Sequence, residues 1–300
     1  MTTNQMTKTH IEHPEDTILT GDLSVIDSLY NPAQVSMKMD GMSLVWGTNP
    51  DNGKFFVCTK AAFNKKKIRL CYTTDDIFTH FGHQMEVVDI LSHCLKYLPR
   101  TNNIYWGDWL GFGRTDVMTQ NTLTYTFPEK IMQKLVIAPH TQVYLTQDGL
   151  LCNAVCKPLT EYFSDTAIIK WVQPIVDKVH CDVDTLAIDT SKMQFLTKKE
   201  AEIAKQNINK LIKSGQQLTD DVLTAIIGCP YVANLYQLVI EMKEELMDSF
   251  IIIDAPDAYL PSGDYSKFGE GFVFYNMWGS YKLVNRCEFA YANFNHGYSN

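Results

Sequence analysis

Val35-Ser36-Met37-Lys38-Met39-Asp40-Gly41-Met42-Ser43-Leu44-Val45-Trp46 sets a lysine against an Asp-Gly corner between two apolar segments. Asp and Gly are turn formers, so Lys38 is expected at a strand edge, with a strand resuming at Met42. Moving outward, Met42 to Gly47 and Phe55 to Thr59 are short apolar runs separated by Thr48-Asn49-Pro50-Asp51-Asn52-Gly53. That separator is dense in turn residues and closes on Asn-Gly, which predicts a hairpin-like pair. Asn52 to Thr74 then carries six cations (Lys54, Lys60, Lys65, Lys66, Lys67, Arg69) and no acid. Such a stretch suits phosphate, and a solvated lysine-rich loop would read the same way.

Composition narrows the class. The chain has 300 residues, 45% hydrophobic and 20% charged, which reads as soluble and globular. No run approaches the roughly 18 apolar residues of a membrane span, so no membrane partner is expected. Residues 1–10 are polar, lack the apolar core of an export signal and are expected to be disordered. The eight cysteines contain no C-x-x-C pair, so reduced thiols in a cytoplasmic protein are expected. His10/His13 and His80/His83 have i, i+3 spacing, but no second ligand pair accompanies either. The net charge of −8 argues against a general nucleic-acid coat.

Beyond the hairpin, Thr74-Asp75-Asp76 opens a helical stretch in which Val87, Val88, Leu91, Leu95 and Leu98 recur up to Pro99. Asn103 to Leu110, Thr122 to Phe127 and Val136 to Leu145 read as strands. Thr160 to Lys178 has helical periodicity. Thr197-Lys198-Lys199-Glu200 is a capping box, followed by the apolar face Ala204, Ile208, Leu211 and Ile212 and a stop at Gly215. Thr219 opens another helix, which Pro230 is expected to close, and Leu235, Val239, Met242 and Leu246 mark a further one. Strand signals return at Ser249 to Ile253. The expectation is an α+β chain in which 11–155 and 249–300 form one core and 156–248 is a helical insertion.

Four short motifs stand out in order. They are Lys38-Met39-Asp40-Gly41, Tyr105-Trp106-Gly107-Asp108-Trp109-Leu110, Gly269-Glu270-Gly271-Phe272-Val273-Phe274 and Tyr281-Lys282-Leu283-Val284-Asn285-Arg286. Outside the helical block the chain resembles the covalent nucleotidyltransferases, the superfamily of polynucleotide ligases and mRNA capping enzymes, whose nucleophile motif is Lys-x-Asp-Gly. It is also similar to a family of tailed-phage proteins, some from cyanophage, described as ligase-like. That second likeness rests on Ile11-Glu12-His13-Pro14-Glu15-Asp16, the Lys38 motif, Asn52 to Lys60, Gly107-Asp108 and Glu270 to Phe274.

The resemblance implies an adenylation-domain-like core of mainly antiparallel sheets. It implies that Lys38 displaces pyrophosphate from ATP to form a lysyl-AMP, with Asp40 and Gly41 completing its motif at the nucleotide. Asp108 would contact the ribose or a metal-bound water, Glu270 would help hold Mg²⁺, and Lys282 would contact the α-phosphate. Lys60 and Arg286 would hold the triphosphate and, with Lys282, depress the pKa of Lys38, because a lysine amine attacks phosphorus only when neutral. Phe127 is a candidate for stacking on adenine, and Tyr125 is not separated from it. The implied partners are RNA or DNA ends, in the host cytoplasm for a phage-encoded protein.

Departures from the superfamily pattern are specific. Val284 stands where the last motif usually carries a second lysine, and only 12 residues separate Glu270 from Lys282 (282 − 270). The chain runs to Asn300, which leaves no room after Arg286 for the OB-fold domain of DNA ligases and capping enzymes. The expectation is therefore an RNA-ligase-like activity. A non-catalytic nucleotide- or nucleic-acid-binding module on the same fold is the alternative.

Overall fold

The computed structural model describes residues 11–30, 34–64, 66–145, 151–156, 159, 162–178, 188–277 and 279–296. The expected disordered start, 1–10, lies outside them. The described residues form two compact units, one of 39–173 with 254–258, the other of 11–38, 174–253 and 259–300. Helices and mainly antiparallel sheets are both present, so the α+β class holds.

In the first unit the antiparallel strands Phe55–Cys58, Met42–Thr48, Ile104–Phe112, Leu135–Leu145 and Leu151–Cys156 lie side by side in that order. Ile169–Trp171 pairs in parallel with Leu135–Leu145. The expected hairpin is there, with Val45 opposite Cys58 and Thr48 opposite Phe55. Gly53 turns it at φ +67°, a left-handed conformation that glycine adopts freely. Strand alternation puts Trp46, Tyr105 and Trp109 on one face of the sheet and Ser43, Trp106 and Asp108 on the other. Ile77, Val88, Leu91 and Cys94 of the helices Thr74–Phe81 and Met85–Tyr97 join Leu44, Trp46, Tyr105 and Trp109 in one core. The helical stretch read from Thr74 to Leu98 is thus two helices, with Gly82 ending the first.

A smaller sheet in this unit orders Thr115–Thr119, Thr124–Ile131 and Asp257–Tyr259, with Thr124–Ile131 in the middle. Its register slips between Thr115 and Val117. Pro128 falls in that slip, where its missing N–H breaks no ladder bond. Helical periodicity over Thr160 to Lys178 is not realised. The segment holds the strands Ile169–Trp171 and Ile175–Lys178, because Pro174 interrupts a helix and the isoleucines and valines around it favour strands.

In the second unit Gln34–Lys38, Gly271–Asn276 and Gly279–Leu283 make an antiparallel sheet with Gly271–Asn276 in the middle. Ile175–Lys178 pairs with Phe250–Ile253. The Thr197–Glu200 capping box starts the helix Lys198–Lys213, which buries Ala201, Ala204, Ile208 and Ile212, and Gly215 lies just past its end at φ +72°. The helix Asp220–Ile227 is closed by Gly228 at φ +82°, not by Pro230, which instead begins the helix Pro230–Asp248. Proline fits a first helical turn because its N–H would be unpaired there anyway. The thiols of Cys58, Cys71, Cys94 and Cys229 are free and buried, and that of Cys287 is free and exposed.

A buried charge cluster ties this unit together. Glu15 Oε1 accepts hydrogen bonds from Lys243 Nζ (2.9 Å) and Arg286 Nη1 (3.4 Å). Asp16 Oδ1 accepts from Arg286 Nη1 (3.0 Å) and the Tyr236 hydroxyl (2.8 Å), and Arg286 Nη2 donates to Asn209 Oδ1 (2.8 Å). The helices of 198–248 therefore share their interior with the N-terminal segment and the C-terminal strands. This corrects the expected division of an 11–155/249–300 core from a 156–248 insertion.

Burial opposes the Glu15 charge, but Lys243, His13 and Arg286 outweigh it and lower the carboxyl from 4.5 to about 2. Its contribution to stability is complete above its unfolded value and is lost as pH falls toward the folded one. Burial also holds His13 well below 6.5, so below about pH 6.5 the unfolded chain takes up that proton first and stability declines. Asp16, raised by burial, partly offsets the acid loss. The melting temperature of the wild type should fall more steeply than that of His13→Asn between about pH 6.5 and 5, and equal slopes would remove His13 from the account. Lys243→Met, which takes from Glu15 the nearer of its two cations, should lower the unfolding free energy in urea by about 3–5 kcal/mol at neutral pH.

Candidate functional site

Lys38 ends its strand in the second unit, and the chain enters the first unit at Met39. Lys38 Nζ donates to Glu270 Oε1 at 2.6 Å, with the two side chains 31% and 15% exposed. The pair joins residues 232 apart in sequence through strand register, because Lys38 lies opposite Gly271. Gly271 has φ +120°, and a Cβ there would collide with the Leu283 carbonyl oxygen, so only glycine lets the last two strands approach at this point. Lys282 lies opposite Val273 on the same face of the sheet as Lys38. Burial depresses the Lys282 pKa, Asp16 and Glu12 oppose that, and the charges of Lys38 and Arg286 add to the depression. Lys38, Glu270 and Lys282 are thus brought together. Val284, at the position of the usual second lysine, is buried.

Arg286 does not join them as a phosphate ligand. Its guanidinium is buried and bonded to Glu15, Asp16, Tyr236 and Asn209, so the expected triphosphate contact is replaced by an internal one. The signal for this was the Glu15-Asp16 pair, two adjacent acids in the helix Pro14–Ile18.

The other expected site residues belong to the first unit. Asp40 is buried, and its carboxylate accepts from Asn121 Nδ2 (2.5 Å) and the Leu123 N–H (2.9 Å). Its own N–H donates to the Tyr125 hydroxyl at 2.6 Å. Asp40 therefore clamps the chain to the 121–125 segment instead of presenting its carboxylate to a nucleotide. A Cβ on Gly41 would lie 2.6 Å from the Trp109 carbonyl oxygen, so its smallness serves a close backbone approach. Lys60 is exposed at the start of the 3-10 turn Lys60–Phe63. Phe127 and Tyr125 are both buried.

Asp108 Oδ2 lies 3.4 Å from His140 Nε2, and His140 Nδ1 is 2.5 Å from Thr141 Oγ1. Trp106 Nε1 donates to Ser43 Oγ at 2.8 Å, and its ring meets His140 at a centroid distance of 5.0 Å. Sequence reading missed His140 and Ser43. A lone histidine and a lone serine inside strands have no spacing to mark them, and only the register of Asp108 against Ser43 and Ala138 reveals the cluster.

Among the described residues no group of three or more His, Cys, Asp or Glu side chains is assembled for a metal. A magnesium ion carried by nucleotide phosphates needs only one or two carboxylates from protein, and Glu270 beside the Lys38 amine fits that requirement. No helix of the described residues is long and apolar enough to cross a membrane.

A family model described as a family of unknown function (DUF6267) matches residues 8–226 and 188–297, and the chain belongs to that family. No curated protein and no solved structure matches it.

Removing the Asp40 clamp leaves the buried Leu123 N–H and the half-buried Asn121 amide without this acceptor. Asp40→Ala should therefore lose about 3 kcal/mol in a denaturant titration. An unchanged midpoint would mean that the carboxylate has no structural task.

Proposed function

We propose that this family member is an ATP-dependent nucleotidyltransferase of the RNA-ligase-like kind, built on an adenylation-domain-like core. One observation carries the reading: Lys38, Glu270 and Lys282, from three separate motifs, meet on one sheet with the Lys38 amine 2.6 Å from a carboxylate. In this scheme the Lys38 ammonium loses a proton to water, which the positive charge of Lys282 favours. The lone pair of the Lys38 amine then attacks the α-phosphorus of ATP. A P–N bond forms, the bond from the α-phosphorus to the bridging oxygen breaks, and pyrophosphate leaves. A 5′-phosphate oxygen of a polynucleotide next attacks the same phosphorus, the P–N bond breaks, and the Lys38 amine is restored. A 3′-hydroxyl displaces AMP from the activated end to complete the joint.

Lys282, on the same face and with its pKa depressed, contributes positive charge beside the reacting phosphate, where phosphoryl transfer depends on charge stabilisation. Glu270 would hold a magnesium ion, whose chemistry is to neutralise phosphate charge. The exposed Lys60 and the cations around it suit the acceptor backbone.

A second reading, a nucleotide- or nucleic-acid-binding module without catalysis, is favoured by the same ion pair. A carboxylate this close stabilises the ammonium form, which is not nucleophilic.

Incubation with α-labelled ATP and magnesium, after pyrophosphate treatment to strip bound AMP, separates the two. The nucleotidyltransferase should give a labelled band on a denaturing gel that Lys38→Ala abolishes and that survives in Lys60→Ala. A band retained in Lys38→Ala removes the nucleophile. Absence of any band with ATP, GTP or NAD, together with a nucleotide-dependent rise in melting temperature, leaves the binding module.

A further inference from the structure

On the sheet face opposite Asp108 and Ser43, the first unit holds a cavity of about 560 Å³. Trp46, Tyr97, Tyr105, Phe163 and Trp171 supply its walls. The rings already pack on one another in stacked, tilted and edge-on pairs. Trp46 and Trp171 stack at 6.0 Å and 25°, Phe163 and Trp171 approach to 4.4 Å, and Tyr105 meets Phe163 at 4.9 Å. No lining side chain is formally charged. A charged group inside would lose its hydration with no partner, whereas a flat uncharged ring would add to the aromatic packing. The volume falls in the range of small-molecule sites.

Charge lies beside the cavity at one wall. Lys134 Nζ donates to the Tyr97 hydroxyl at 3.1 Å and stands 4.6 Å from its ring centroid. Lys96 Nζ is 5.0 Å from the same ring. Tyr105, which accepts from Asn103 Nδ2 at 3.1 Å, keeps its own hydroxyl hydrogen to donate. A ligand that suits both parts has a planar, neutral, hydrogen-bonding ring joined to an anion. We infer that this aromatic cavity is a binding site for an unpaired nucleobase, with its phosphate held by Lys96 and Lys134. Aromatic platforms flanked by cations hold single-stranded bases in this way without reading sequence. The base comes either from a free nucleotide or from a single strand. Neither source requires Lys38 chemistry.

The full-length chain is irradiated with a short single-stranded oligouridylate carrying one 4-thiouridine, and the cross-linked peptide is mapped. Affinity for the same strand is read by fluorescence anisotropy. Cross-links are expected within 97–105 or 162–171. Ala167→Trp, which fills the cavity from an exposed lining position, should weaken binding about tenfold, with Lys134→Gln also weaker. Ser164→Trp serves the same end should the first variant misfold, and circular dichroism checks both. Competition by 4-thiouridine monophosphate at the strand's own concentration range identifies a free nucleotide as the ligand, and failure to compete identifies the strand. Cross-links confined to other segments, or two folded cavity-filling variants that bind as tightly as wild type, would overturn the assignment. Both readouts report binding independently of self-adenylation, so a missing Lys38 adduct leaves this result standing.

Discussion

Glu15, Asp16, Lys243 and Arg286 are four charges in one buried cluster, and the second unit is organised by the need to pair them. A buried charge without a partner is among the most destabilising features a fold can carry, so the elements that bear these residues are obliged to meet. They come from the N-terminal helix Pro14–Ile18, the helix Pro230–Asp248 and the turn that follows the last strand. Just before the cluster, Glu12 accepts the Lys282 N–H through its carbonyl at 3.0 Å and bridges to Tyr281. The acidic N-terminal segment thus does two jobs within five residues: it neutralises Lys243 and Arg286, and it edges the sheet that carries Lys38, Gly271 and Lys282.

That coupling changes what Arg286 does. Read as sequence, it is a cation two residues beyond Val284 and a natural substitute for a missing phosphate-binding lysine. In the fold its two terminal nitrogens are bonded to a glutamate, an aspartate, a tyrosine and an asparagine. A planar guanidinium with several fixed acceptors is a structural hub, not a free charge. Lys282 is left as the cation beside Lys38 on that sheet, with its own pKa depressed.

Features set by neighbours in sequence were readable before any coordinates. The 42–58 hairpin follows from its turn residues, the Lys198–Lys213 helix from its capping box, and the strands at 104–112 and 135–145 from apolar runs. Features set by distant partners were not. Glu15 and Lys243 are 228 residues apart, and nothing local announces that they pair. Thr160 to Lys178 failed for a different reason: short apolar runs fit both periods, and Pro174 should have decided between them. Asp40 illustrates a third limit. The Lys-x-Asp-Gly pattern is the same whether its aspartate faces a ligand or accepts from Asn121 and Leu123, and only the folded chain distinguishes these.

The four-residue motif is therefore held by two different means. Lys38 is fixed by strand pairing against Gly271, and Asp40 by hydrogen bonds to the 121–125 segment, with the buried Met39 between them. Two of the neighbours of the Lys38 amine act on it in opposite senses. Glu270 at 2.6 Å favours the ammonium, while positive charge on Lys282 favours the neutral amine. Any anion or cation that binds near Glu270 shifts that balance. A cation drawing the carboxylate away weakens its hold on the ammonium. On the proposed nucleotidyltransferase reading, the ion pair of the free protein is a resting state, and the carboxylate that holds the ammonium is the group through which binding would release it.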